Sequence, residues 1–197
     1  MTSITHITLE VPDAKAAEKF YQAAFDSIPE LKFKQSDAPT QGFRGYTLST
    51  IVTQPSTVNS LFDSAVAAGA TVLNPVSKSL WGVGGVIQTP DGAIFNIATS
   101  NKKDTGPETR KIDNFVLLIG AEDVAASKKF YADKGFEVGK SFGSYVEFVS
   151  KPVGLGLYKR KALAKVSAVA AEGSGSHRIL IGTDVGAFTD PDGFVGV

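Results

Sequence analysis

Apolar and polar residues change period along the chain, and those changes predict its elements. Residues 4–11, ITHITLEV, and 113–120, DNFVLLIG, are rich in β-branched and aliphatic side chains and read as strands. Each is followed by an aspartate, Asp13 or Asp123, placed where a helix N-cap accepts orphan backbone N–H groups. After Asp13 the apolar positions Ala17, Phe20, Tyr21, Ala24 and Phe25 recur at helical spacing. A second helix is predicted over 56–68, with Ser56 as its cap, an apolar face of Val58, Leu61, Phe62, Ala65 and Val66, and Gly69 at its end. Segments 137–143, 145–151 and 153–158 read as strands, and Gly135 ends the helix before them.

The chain also repeats itself. VPDAKAAEKFY, residues 11–21, and AEDVAASKKFY, residues 121–131, agree at Asp13/Asp123, Ala16/Ala126, Lys19/Lys129, Phe20/Phe130 and Tyr21/Tyr131. GGVIQTPDG closes at Gly92 and VGAFTDPDG at Gly193, each a Pro-Asp-Gly turn between strands. The same signals in the same order divide the chain into a first domain, 1–100, a polar linker, 101–111, and a second, shortened domain, 112–197. Too few residues separate Asp184 from Gly186 for a helix in the last unit, and residues 159–176 read as a partly helical connection ending in a flexible Gly/Ser stretch.

Composition narrows the function classes. Twenty basic and twenty acidic residues cancel, which leaves no electrostatic footprint for nucleic acid or an anionic membrane. The absence of cysteine excludes disulfides, thiolate catalysis and Cys-type zinc clusters, and fits a reducing compartment. No secretory signal or membrane-length apolar run is visible, so a cytoplasmic location is expected.

Strand, Asp-capped helix with a Lys-Phe-Tyr core, strands and Pro-Asp-Gly turn together resemble the βαβββ module of the glyoxalase/bleomycin-resistance/dioxygenase (vicinal oxygen chelate) superfamily. SLWGVGGVIQTPDG, residues 79–92, carries the likeness most specifically. The resemblance covers nearly the whole chain as four modules starting near residues 2, 45, 112 and 176, the last without its helix. It implies an α+β fold with two cupped mixed sheets, each cup built from two modules. It also implies a divalent ion held by residues of the first and last strands. His6 and His177 both stand seven residues before an aspartate, Asp13 and Asp184, where the family places a histidine; Thr47 and Val116 hold that place in the other modules. Asn96 and Val197 stand where the family's carboxylates would, and module three ends at Leu157 and Tyr158. With about three imidazole or carboxylate ligands required, a complete metal site and a cofactor are not expected; His6 and His177 are the weak metal candidates. If modules one and four pair, these two histidines would face each other in one cup.

The expected function is therefore binding of a small aromatic or planar molecule in a sheet-lined cup. A metal-dependent glyoxalase-like lyase or isomerase, or a dioxygenase, using His6 and His177 is the alternative. Phe43, Tyr46, Trp81, Phe95, Phe142, Tyr145, Phe148 and Phe188 are expected to line cup interiors or core. His6, His177, Trp81, Arg44, Tyr46 and Glu147 are the candidate ligand-binding residues: Trp81 in a Gly-flanked loop, Arg44 to meet an anionic group, and Glu147 as a mid-strand carboxylate beside Tyr145 and Val149. The expected partner is a small molecule rather than nucleic acid or membrane, and a homodimer is left open. Gly82-Val83-Gly84-Gly85 leads into a strand and is no phosphate cradle.

Overall fold

Asp13 and Asp123 cap their helices as the repeat requires. Asp13 accepts from the Ala16 amide, and Asp123 from those of Ala125 and Ala126. In this computed structural model, which describes residues 2–197, the first module runs β1 (Ile4–Val11), α1 (Ala14–Phe25), β2 (Leu31–Gln35) and β3 (Thr40–Gly42). The second comprises β4 (Tyr46–Ile51), α2 (Pro55–Ala67), β5 (Thr71–Ser79), β6 (Gly82–Gln88) and β7 (Ile94–Thr99). The third repeats that order with β8 (Asn114–Ala121), α3 (Val124–Asp133), β9 (Glu137–Phe142), β10 (Tyr145–Val149) and β11 (Val153–Lys159). A connection, α4 (Arg160–Val166) and β12 (Gly173–Gly175), leads to a last module of three short strands, β13 (Ile179–Thr183), β14 (Phe188–Thr189) and β15 (Val195–Gly196).

Two local expectations change. Ser56 is not the cap of α2: Gln54 is, with Pro55 in the first turn, where its missing N–H costs nothing. The Gly/Ser stretch after α4 is not free, because Gly173–Gly175 pairs antiparallel with Thr40–Gly42.

Modules two and three build one continuous eight-stranded sheet, in the order β5-β6-β7-β4-β8-β11-β10-β9. Their first strands, β4 and β8, meet antiparallel at its centre. Modules one and four pair likewise through β1 and β13, so the pairing is one with four and two with three. Within the sheet a single ladder pair, Ile4 with Val153, links this smaller part to the larger.

Alternation along the strands sends each side chain to one of two faces. Leu48, Phe95, Ile97, Phe115, Leu117, Val146, Phe148, Leu155 and Leu157 face the main core, together with Phe20, Tyr21, Phe25 and Tyr131 of the helices. The intervening residues of the same strands face the other way, and there α4 lies across the sheet. Leu163 and Ala164 pack with Val86, Ile94 and Phe43, flanked by Leu118, Tyr158 and Val169. Gly120 admits this close approach, since a Cβ there would stand 3.1 Å from the Arg160 Cα. The chain thus fills one part of its own concave face and leaves the rest open.

The linker is pinned along its length, by Asn101 to the Thr53 carbonyl, by Asp104 to the Ser56 amide, and most extensively around Gln54 and Arg110. Gln54, 3% exposed, accepts through Oε1 from the amides of Thr105 and Gly106 and donates through Nε2 to the carbonyls of Gly106 and Pro107. Arg110 reaches back to Asp26, Ser64 and the Ala24 carbonyl.

Candidate functional site

The open part of the concave face is a cavity of about 500 Å³. Its size lies within the range of small-molecule sites. Its floor follows from strand register. Asn96, Ser49, Val116 and Gly154 are neighbours across β7, β4, β8 and β11. One row along, Leu118, Gly156 and Glu147 are neighbours across β8, β11 and β10. The glycines make the room: a Cβ on Gly156 would stand 2.8 Å from the Leu118 Cδ2 and 3.3 Å from the Tyr145 ring. Tyr145 and Tyr158 form the aromatic wall, with ring centroids 4.8 Å apart. Lys151 lies at the margin, exposed.

Two polar side chains in this cavity, Ser49 and Glu147, lack protein partners. Ser49 is 2% exposed, yet its hydroxyl makes no hydrogen bond, a condition that buried polar groups rarely tolerate. Glu147, half-buried, enters none of the ion pairs among the described residues. Burial first, then the charge of Glu147 and the neighbouring Tyr158, push the Tyr145 hydroxyl up to about 12. Burial raises Tyr158 as well. Both phenols are therefore neutral, and each hydroxyl can donate or accept.

The candidate residues from the sequence separate into four places. Glu147 lies in the cavity. Arg44, His177 and Tyr46 come together elsewhere. The His177 Nδ1 stands 2.6 Å from the Arg44 carbonyl oxygen and its Nε2 3.0 Å from that of Asp192. Its ring stacks on Phe194 at 4.0 Å, and Phe194 meets Tyr46 edge-on. The Arg44 guanidinium donates to the Asp91 carbonyl at 2.6 Å. This cluster ties β4 to both Pro-Asp-Gly turns. Tyr46 is 2% exposed, its hydroxyl unpartnered and raised by burial.

His6 is alone. Its ring lies over Gly182, its Nδ1 is 3.0 Å from the Thr5 hydroxyl, and partial burial followed by the charge of Lys32 lowers its pKa. The two histidines do not face each other although modules one and four pair. His6 is registered with Gly182, five residues from His177, a separation of about 16 Å along a strand. Trp81 also stands apart: it is 88% exposed at the β5–β6 turn, and Phe142 is 87% exposed at the end of β9. Phe95, Phe148 and Phe188 belong to the helix-side core and Phe43 packs under α4, so of the eight aromatics only Tyr145 and Phe148 border the cavity.

A resident divalent ion does not fit these residues. Both His177 nitrogens are occupied by backbone carbonyl oxygens, at 2.6 and 3.0 Å, and His6 has no second ligand beside it. In the larger sheet the floor offers one carboxylate, Glu147, among serine, asparagine, valine and tyrosine, short of the roughly three carboxylate or imidazole ligands needed. Among the described residues no group of three His, Cys, Asp or Glu lies close enough to hold a metal. Nor is any described helix long and apolar enough to cross a membrane.

Sequence reasoning passed over Ser49, which lies on the same face of β4 as Thr47, one strand period along. Its available signal was a hydroxyl on an otherwise sheet-central strand. Asn96 was noted as a replaced ligand rather than as a cavity donor.

Comparison with solved structures agrees with this architecture. Glyoxalase I from Zea mays superposes with a TM-score of 0.63 at 15% identity, covering 100% of this chain and 91% of the other. A point mutant of the same enzyme gives 0.63 at 14%. A Bacillus subtilis protein of suggested dioxygenase activity gives 0.59 at 13% identity, over 97% of this chain and 71% of its own. At these identities the likeness establishes the fold. No protein-family model and no curated protein matches the sequence.

Proposed function

We propose that this chain, a protein of vicinal oxygen chelate fold, binds a small planar or aromatic molecule in the cavity bordered by Ser49, Asn96, Tyr145, Glu147 and Tyr158. The observation that carries the reading is the Ser49 hydroxyl, buried at the cavity floor without a partner. Leaving a buried hydroxyl unpaired costs about 1–3 kcal/mol, a cost that a ligand's polar group offsets by bonding to it. Paired tyrosine rings on β10 and β11 and two glycines of β11 supply a flat apolar wall and the space beside it.

Binding is the whole of the proposed activity. The residues present supply orientation through Ser49 and Asn96 and stacking through Tyr145 and Tyr158. The metal-dependent alternative centred on His6 and His177 gains no support from their positions.

Titration with 2-naphthylmethanol, a neutral planar probe, tests the reading. The wild-type Tm rises with probe concentration, as binding to the native state alone requires. In Gly154→Leu, where the new side chain occupies the floor, the rise is lost while the fold persists by circular dichroism. No rise in the wild type, or an equal rise in the variant, overturns the assignment.

A further inference from the structure

We infer that the cavity selects organic cations: an ammonium or amidinium group sits against Glu147 and the Tyr145 and Tyr158 rings, and the ligand's neutral hydrogen-bonding end reaches Ser49 and Asn96. This deepens the binding reading above and rests on it.

Among the described residues Glu147 is the only acidic one that borders the cavity; it sits mid-strand, paired with Gly156 of β11 and lying at the register shift in the pairing with β9. None of the ion pairs among the described residues uses it. A carboxylate accepts only, so the group that completes it must donate, and a cationic donor gives the stronger bond. The adjacent tyrosines add to this preference, because the faces of phenol rings attract cations. Their hydroxyls remain neutral, Tyr145 through burial and the neighbouring negative charge, so no second anion shares the space.

An anionic ligand would meet Glu147 in the interior. The one cation at the margin, Lys151, is exposed and can turn its ammonium to solvent on a flexible stem. Ser49 and Asn96 lie on β4 and β7, while Glu147 lies on β10, three strand spacings from β4. That is about 14 Å across the sheet surface. The two ends of the cavity thus differ in character: a neutral pair at one, a carboxylate framed by aromatic rings at the other.

Three matched probes separate charge from shape: 2-naphthylmethylammonium, 2-naphthylmethanol and 2-naphthoate, each titrated calorimetrically into the full chain. The expected order is ammonium tightest, by roughly tenfold over the alcohol, with the carboxylate weakest. Glu147→Gln removes the ammonium's advantage, so that the ratio of ammonium to alcohol affinity falls from roughly tenfold to about one. Should that variant fail to fold, the order of the three probes on the wild type decides alone. Equal or better binding of the alcohol or the carboxylate, or an ammonium preference that survives Glu147→Gln, overturns the charge selection and leaves the binding reading in place. Failure of all three probes to bind overturns both.

Discussion

Tyr131 of α3 donates its phenolic hydrogen to Asp190 Oδ2 at 2.8 Å, joining the helix of the third module to the Pro-Asp-Gly turn of the fourth. The first half repeats the arrangement: Tyr21 of α1 donates to the Thr89 hydroxyl at 3.3 Å, at the turn of the second module. Thr89 and Asp190 close their turns alike, each bonding the backbone of the residue four positions on, Ala93 or Phe194. The Lys-Phe-Tyr and Pro-Asp-Gly repeats are thus two halves of one contact. The tyrosine holds the turn, and the turn sets the strand or chain end that follows.

This contact predicts a pH dependence. Burial raises the Asp190 carboxyl above its ordinary value, against bonds from the Phe194 amide and Tyr131 that lower it. The folded state then binds the proton more tightly than the unfolded state does. Its contribution is full below the unfolded pKa and is lost as pH rises through the raised folded value. Tyr131→Phe removes one stabilising bond to the carboxylate, so it costs about 2 kcal/mol at neutral pH and steepens the decline. Asp190→Asn removes that part of the decline. Urea unfolding between about pH 3 and pH 7 measures all three proteins; parallel curves for wild type and Asp190→Asn would refute the assignment.

Gln54 predicts how the linker behaves. Its amide satisfies backbone donors and acceptors of Thr105, Gly106 and Pro107 at once. Gln54→Ala leaves those groups to water and costs about 2 kcal/mol. Limited proteolysis should then nick residues 101–111 at a protease concentration that spares the wild type. Unchanged protection would show that the remaining anchors, Asn101, Asp104 and Arg110, secure the segment without Gln54.

Elements with strong local signals were legible in the sequence. The Asp-capped helices, the three strands after Gly135 and the missing helix of the last module all follow from spacing and turn residues. What the sequence left unread depends on contacts between distant segments. Trp81 and Phe142 read as ligand-facing because aromatic residues favour interiors, yet both sit at the ends of edge hairpins where no segment covers them. His6 and His177 share a repeat position, but β1 is registered with β13 so that Gly182, not His177, lies opposite His6. Ser49 became a candidate only when register placed it beside Asn96 and Val116.

The connection α4 packs against two residues of the cavity lining, Leu118 and Tyr158. Leu163 is 1% exposed and packs with Val86 and Ile94, in the cluster that also borders Leu118 and Tyr158. Leu163→Ala should cost about 3 kcal/mol in urea unfolding, within the range for a buried leucine. It should also admit a bulkier neutral probe, 9-anthracenemethanol, that the wild type binds weakly. Equal affinity of both proteins for that probe would show that α4 does not bound the site.

Ser49 supplies the sharpest test, because stability and binding should move in opposite directions. In the free protein its buried hydroxyl has no protein partner, so Ser49→Ala removes a desolvation penalty along with the oxygen. The variant should be about 1 kcal/mol more stable than the wild type by urea unfolding. The same change should weaken 2-naphthylmethanol several-fold, since the probe's hydroxyl loses the partner that had none before binding. A purely structural serine would behave otherwise: its removal would lower stability or leave it unchanged, and the probe would not register the loss. Measured together on one variant, the two quantities separate a residue kept for a ligand from one kept for the fold.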